Sequence, residues 1–311
     1  KMTSVRQRVE ELKKERDAAV LAHYYVPDEV QDIADHIGDS YYLSTVASQL
    51  RQKVILFCGV SFMAESVKIL NPGKTVLMPD LTADCPMAHM ASTEEIKRIR
   101  GRYGDLSVVC YINSTAEIKA CSDVCVTSSN ALKVIRSIPE KNILFIPDKN
   151  LGRYISKQVS EKNFIFNDGF CYVHDGIKAE DIMDLKRLHP HAKVVAHPEC
   201  REEAAVLSDY VGSTSGIIDY IGKNPSEEII VCTESGIFYE LQKRRPGIKL
   251  YTPSKCTLCG DMKKNTPEKV LRALEEPCHE IHVDEALAVK ALRPLKNMLK
   301  YAETKRQDEK I

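Results

Sequence analysis

The feature of this 311-residue chain that most restricts its fold is an order of elements that occurs three times. A strand-like run that turns polar at its end recurs as Val20-Leu21-Ala22-His23-Tyr24, Val108-Val109-Cys110-Tyr111-Ile112-Asn113 and Val194-Val195-Ala196-His197-Pro198-Glu199. The runs begin at 20, 108 and 194, so successive starts lie 88 and 86 residues apart. A polar segment follows in each unit: Gly38-Asp39-Ser40, Thr127-Ser128-Ser129-Asn130 and Gly212-Ser213-Thr214-Ser215. Next comes a second apolar run, at Val54-Ile55-Leu56-Phe57, Asn142-Ile143-Leu144-Phe145 and Ile229-Ile230-Val231-Cys232. Each unit closes on a further strand and a cysteine, Cys85, Cys171 and Cys259, and these are 86 and 88 residues apart. Residue identity between units is low, so the repeat is one of architecture. Strands alternating with helical periodicity imply parallel sheets covered by helices. The expected fold is α/β: three similar three-layer α/β domains with short parallel sheets around a pseudo-threefold axis, with the active site at the centre. The units divide as 1–104, 105–189 and 190–261, with C-terminal helices from 262–311 joined to the first.

Local signals add detail. Ser4 with Gln7 resembles a capping box, and Val5, Val9 and Leu12 share the face of a first helix ending near Asp17. Pro27 opens a second helix, expected to close near Gly38.

In parallel α/β sheets, binding residues gather beyond the carboxyl ends of the strands. Cys85, Cys171 and Cys259 all occupy that position. Related by a threefold axis, they converge on one point, as three thiolates holding a metal cluster would. A 4Fe-4S cluster normally takes four cysteines, so three leave one iron open to act on substrate oxygens as a Lewis acid. Eleven cysteines, an odd number in a large chain, are no disulfide framework. Cys58, Cys110 and Cys232 lie in apolar runs and read as small buried hydrophobes. The Cys256-Thr257-Leu258-Cys259 pair also fits half a zinc site or a redox dithiol, although no second pair follows at finger spacing. Cys121 and Cys125, four apart, read as core packing, and Cys200 and Cys278 receive no role.

The strand ends carry polar pairs one residue apart: His23 and Tyr25, Tyr111 and Asn113, His197 and Glu199. In an extended chain such pairs project to one side. His174, three residues beyond Cys171, belongs beside them. His36, His189, His191, His279 and His282 lie in polar surroundings and read as solvated. Ser40, Thr127, Ser128, Ser213 and Thr214 precede helical runs, where hydroxyls and free N–H groups bind phosphate or carboxylate or serve as ordinary caps. Gly73-Lys74-Thr75 lacks the upstream glycine of a P-loop, and neither a dinucleotide-binding glycine fingerprint nor a nucleophile elbow is present. The 44 basic and 44 acidic residues cancel, so no nucleic-acid partner is implied. No apolar stretch approaches the roughly 20 residues of a membrane span, and a cytoplasmic location is expected.

Eight segments together carry a resemblance: Leu21-Ala22-His23-Tyr24-Tyr25, Gln31-Asp32-Ile33-Ala34-Asp35 with Gly38-Asp39-Ser40, Phe62-Met63-Ala64-Glu65, Cys85-Pro86-Met87-Ala88, Tyr111-Ile112-Asn113-Ser114-Thr115, His197-Pro198-Glu199-Cys200, Val211-Gly212-Ser213-Thr214 and Met262-Lys263-Lys264-Asn265-Thr266. In these, spread over nearly its whole length, the chain resembles the quinolinate synthase family. The resemblance implies an oxygen-sensitive 4Fe-4S cluster on Cys85, Cys171 and Cys259, leaving Cys256 as an extra thiol. It implies condensation of iminoaspartate with dihydroxyacetone phosphate, with loss of phosphate and two waters, to give quinolinate for NAD biosynthesis. L-aspartate oxidase or aspartate dehydrogenase would supply the iminoaspartate, and no membrane or nucleic acid would take part. Tyr25 matches the acid/base of the isomerisation and dehydration steps, and Glu199 a second base near the open iron. His197 joins this catalytic set and, with His23, Ser40, Tyr111, Asn113, Ser128 and Thr214, the positions that bind dicarboxylate or phosphate. His174 matches a further pocket residue. Tyr24 stands where relatives commonly have a smaller polar residue.

Two other readings use the same plan. Diphthamide-type radical enzymes also draw one cysteine from each of three related domains, cleave S-adenosylmethionine at the open iron and act on a protein. An iron-sulfur sensor would report oxidation through Cys256 and Cys259. The hydroxyl-rich loops and the Tyr25, Glu199 pair favour quinolinate synthase.

Overall fold

Each apolar run becomes a buried strand in the computed structural model, which describes residues 2–253, 257–277 and 279–303. Cys256 and Cys278 lie outside the described residues. The first unit runs α1 (Met2–Arg16), β1 (Ala18–His23), α2 (Asp28–Ile33), β2 (His36–Gly38), α3 (Ser40–Gln49), β3 (Val54–Cys58), α4 (Ser61–Leu70), β4 (Thr75–Leu77) and α5 (Thr93–Arg100). The second has β5 (Leu106–Tyr111), α6 (Ala116–Ala120), β6 (Val124–Val126), α7 (Ala131–Ser137), β7 (Asn142–Ile146), α8 (Lys149–Ser156), β8 (Asn163–Phe166), α9 (Tyr172–Asp175) and α10 (Ala179–Leu188). The third has β9 (Lys193–Ala196), α11 (Glu202–Val206), β10 (Tyr210–Val211), α12 (Thr214–Lys223), β11 (Glu228–Cys232), α13 (Ile237–Arg244) and β12 (Lys249–Tyr251), followed by α14 (Pro267–Glu275) and α15 (Glu285–Glu303).

Three four-stranded sheets result, ordered β2-β1-β3-β4, β6-β5-β7-β8 and β10-β9-β11-β12. Every strand pairing within them is parallel. The central strands are apolar over most of their length because helices cover both faces, which removes the need for polar alternation. Cys58, Cys110 and Cys232 are fully buried there, as expected of small hydrophobes. Cys125 sits in β6 opposite Cys110, not on a helix with Cys121.

A carboxylate clasp repeats with the sheets. Asp35, Asp123 and Asp209 each precede the second strand of their unit, and each accepts at 2.8 Å from the backbone N–H of Val20, Val108 or Val194 in the first strand. Each aspartate also donates its own N–H to the carbonyl of the same valine. This clasp corrects the expected length of the second helix. α2 stops at Ile33, because Asp35 must reach Val20 and His36–Gly38 must pair with β1. Residues 36–38 are therefore strand, not the end of a helix. The first helix begins at Met2, so Ser4 lies within it and not at its start.

Close packing joins the units. A Cβ on Gly236 would meet Glu234 Oε2 at 2.7 Å and both Tyr24 O and Tyr25 Cα at 2.8 Å, so only glycine lets this loop rest on the first unit's backbone. Buried Gln31 reinforces the seam, donating to Tyr24 O, Val26 O and Gly236 O. Of the C-terminal helices, α14 packs on α1, α2 and β3, whereas α15 lies across α4, α6, β6 and α7. No helix among the described residues is long and apolar enough to cross a membrane.

Candidate active site

The carboxyl ends of the three sheets face one cavity of about 650 Å³, counting its open mouth. Its wall contains thirteen residues singled out by the sequence, Cys85, Cys171 and Cys259; His23, Tyr25, Tyr111, Asn113, His197 and Glu199; Ser40, Ser128, His174 and Thr214, and the loop hydroxyl Thr127 as well, but not Ser213. Val60, Phe62, Met63 and Met262 supply an apolar side.

The paired residues come together by a turn and not by strand alternation. β1 ends at His23, and the chain folds back so that Tyr25 N–H donates to His23 Nδ1 at 3.2 Å. β9 ends at Ala196, and Glu199 N–H donates to His197 Nδ1 at 3.3 Å. With Nδ1 accepting, each neutral ring carries its proton on Nε2, and His197 Nε2 lies 3.2 Å from Ser128 Oγ. Burial keeps both rings neutral, lowering His23 to about 4 and His197 to about 3. Burial likewise pushes the Tyr25 and Tyr111 phenols well above their ordinary value. For Glu199 burial opposes ionisation, but the neighbouring His197 and His174 outweigh it and hold the carboxyl below its usual range. Buried atoms with no protein partner point to a ligand: Asn113 Oδ1, Thr127 Oγ1 and Glu199 Oε1 all belong to residues of this wall.

The hydroxyl loops divide into caps and cavity groups. Asp39, not Ser40, caps α3 by accepting from Tyr42 N–H, and its other oxygen takes hydrogen bonds from Ser129 at 2.7 Å and Ser215 at 2.6 Å. One carboxylate thus ties the equivalent loops of all three units. Ser213 caps α12 by accepting from Gly216 N–H, while Ser40 and Thr214, the first residues of α3 and α12, line the cavity. Outside the site, His189 stacks on Tyr251 at 3.7 Å between ring centroids and His279 bonds Pro79 O, so these two are structural and not merely solvated.

The three cysteines are free and half-buried, and each precedes a short helical turn. Backbone N–H groups of those turns favour the thiolates: Met87 and Ala88 at Cys85, His174 at Cys171, Asp261 and Met262 at Cys259. Burial outweighs them, raising Cys85 to about 12 and the other two above their ordinary value. Such thiols stay protonated without a cation, and a bound metal would ionise them. Carboxylates hold the backbones of two of these cysteines: Cys85 N–H donates to Asp84 at 2.8 Å and Cys259 N–H to Glu234 at 3.0 Å. The donor set therefore fits a thiolate-bound metal centre. Cys171, His174 and Glu199 form a tighter group, with ligand atoms all within 4.8 Å of one another.

Sequence reasoning missed Asp39, Asp148, Thr233, Glu234 and Lys263. Asp148 and Glu234 both lie two residues beyond the third strand of their units, so the repeat itself carried the signal for them. Glu234 is fully buried and accepts from Gly236 N–H at 2.6 Å, and Lys263 Nζ lies 3.0 Å away.

Comparison with known proteins agrees with this architecture. The family model described as quinolinate synthetase A protein matches residues 7–300. Quinolinate synthase of Fusobacterium nucleatum is 52% identical over 298 residues, covering 96% of this chain and 99% of that protein. Those of Clostridioides difficile and Caldicellulosiruptor saccharolyticus are 50% and 48% identical, each covering 95% of this chain and 97% of its own length. Matched from end to end in this way, and carrying its cysteines at the ends of three sheets, the chain belongs to the quinolinate synthase family.

Proposed function

We propose that this enzyme forms quinolinate for NAD biosynthesis by condensing iminoaspartate with dihydroxyacetone phosphate, and that Cys85, Cys171 and Cys259 hold a 4Fe-4S cluster. The observation that carries the reading is one thiol from the end of each sheet reaching a cavity shared with three polar pairs. When bound, the cluster would supply a Lewis-acidic iron to polarise a substrate oxygen.

The remaining chemistry rests on side chains. Ser40 and Thr214, on the first turns of two ten-residue helices, suit the phosphate, which their hydroxyls and helix dipoles attract. Neutral His197 offers Ser128 an Nε2–H and holds it for the dicarboxylate or phosphate, and His23 offers a second such donor. Asn113 and Tyr111 complete the polar wall. Tyr25 keeps its proton at neutral pH and serves as the acid, while ionised Glu199 accepts the proton that isomerisation or dehydration releases. Burial of this set keeps water from a hydrolysable imine.

The test is iron and acid-labile sulfide per chain after anaerobic purification, together with quinolinate formation from the two substrates. About four irons are expected, lost in Cys85→Ala, Cys171→Ala and Cys259→Ala and kept in Cys256→Ala. Tyr25→Phe and Glu199→Gln should keep iron and lose turnover by about 100-fold or more. Zinc in place of iron, or full turnover in either acid/base variant, would overturn the corresponding part of the reading.

A further inference from the structure

Lys119 is fully buried on α6, the short helix that follows the Tyr111-Ile112-Asn113-Ser114 turn. Its Nζ turns back toward the start of that helix and donates to Ser114 O. It also lies 5.5 Å from the centre of the Phe62 ring, so one amine reaches both the turn of the second unit and the apolar cavity wall of the first. Ser114 is itself fully buried and tied back to the strand, its N–H donating to Ile112 O at 2.8 Å and its hydroxyl to Tyr111 O at 3.0 Å. Asn113 stands between these anchors in the cavity wall, with its buried Oδ1 left without a protein partner.

Stability does not account for this amine. Among the described residues no carboxylate forms an ion pair or a hydrogen bond with it; Glu65 and Glu117 act on it only from farther away, and its other neighbours are the buried Cys110 and Cys125 thiols. A buried amine so poorly paired opposes folding, and the start of a helix is where a positive charge is least favoured. A methionine of similar length would fill the space without either penalty. What the lysine adds is a strong donor to the carbonyl of the residue that follows Asn113. We propose that Lys119 is a positioning residue for substrate binding: it pins Ser114 O and so holds the Asn113 side chain toward the cavity. The proposal rests on the reading of Asn113 as a substrate-binding residue given above.

Lys119→Met, Asn113→Ala and the double variant are purified anaerobically beside wild type, assayed for iron and sulfide, unfolded in urea and followed by steady-state kinetics in both substrates. Lys119→Met should keep wild-type iron and sulfide and a urea midpoint no lower than that of wild type. Its KM should rise about 10-fold for the substrate whose KM Asn113→Ala raises, and stay within about twofold for the other. In the double variant the affected KM should exceed the Asn113→Ala value by no more than about twofold, because the lysine acts through the asparagine. The proposal is overturned if the two effects multiply in the double variant. It is equally overturned if Lys119→Met lowers the urea midpoint, loses iron or fails to fold, since the lysine would then serve the fold. A raised KM in Asn113→Ala beside an unaffected Lys119→Met would sink the positioning alone. Wild-type KM values in Asn113→Ala would instead sink the substrate-binding reading beneath it.

Discussion

Removing the carboxylate of Glu234 should destabilise the protein far more than an ordinary substitution does. Three donors converge on it: Gly236 N–H at 2.6 Å, Cys259 N–H at 3.0 Å and the Lys263 ammonium at 3.0 Å. Glu234→Ala leaves two backbone donors without that acceptor, at about 1–3 kcal/mol for each one that stays buried. Breaking a buried ion pair from one side costs about 3–5 kcal/mol in all. Lys263 is 27% exposed and also donates to Tyr25 O at 2.6 Å, so its charge keeps some solvation and one partner. These considerations place the loss at about 3–4 kcal/mol, a large share of the 5–15 kcal/mol typical of a domain. Glu234→Gln, which keeps one acceptor oxygen, should lose about 1–2 kcal/mol. The assay is urea unfolding of wild type, Glu234→Ala, Lys263→Met and the double variant. The double variant should lose less than the two single losses together, because neither partner is then stranded. A Glu234→Ala loss below about 1 kcal/mol, or strict additivity with Lys263→Met, would refute the reasoning.

Asp39 gives a second test: Asp39→Ala removes a helix cap and two hydroxyl contacts to other units, and should cost about 2–4 kcal/mol, whereas Ser129→Ala and Ser215→Ala each remove one contact and should cost about 1–2 kcal/mol. Equal losses in all three, read by urea midpoints, would contradict a shared carboxylate tie. His23 gives a pH test. Burial sets its folded pKa at about 4 against the ordinary 6.5, with Asp39 and Glu199 opposing and Lys263 assisting. The unfolded chain therefore takes up the proton first, and stability falls as pH drops from 6.5 toward 4, by about 3 kcal/mol from this residue. His23→Gln should flatten that slope in unfolding curves recorded across the window, and an unchanged slope would exclude His23 as its source.

The threefold plan was legible because its signal is long. Central strands of four to six residues, buried on both faces, read as continuous apolar runs, and three runs at nearly constant spacing are hard to mistake. The second strands were not legible. β2, β6 and β10 have two or three residues each, too few for any periodicity, and are fixed by the aspartate clasps beside them. Asp35, Asp123 and Asp209 stand 88 and 86 residues apart, so the repeat had already marked their positions. The site was legible where chemistry is unusual for the element, as with histidine, tyrosine or cysteine ending an apolar strand. Thr233, Glu234 and Lys263 escaped because a threonine or an ion pair in a loop looks ordinary until folding brings it against Tyr25 and Cys259.

A ribosome makes the three cysteines of the cavity available one at a time. Cys85 emerges with the first sheet and Cys171 with the second, and 88 further residues must be added before Cys259 exists. Domains tend to fold as units while synthesis continues. A growing chain therefore displays two thiols on nearly finished units, lacking the third sheet, the Gly236 contact and the α14 and α15 helices that follow. Whatever the three thiols bind can be captured in full only by a completed chain. Completion of any centre held by all three thiols would therefore wait for the third sheet, which supplies the last sulfur and part of the cavity wall around the other two.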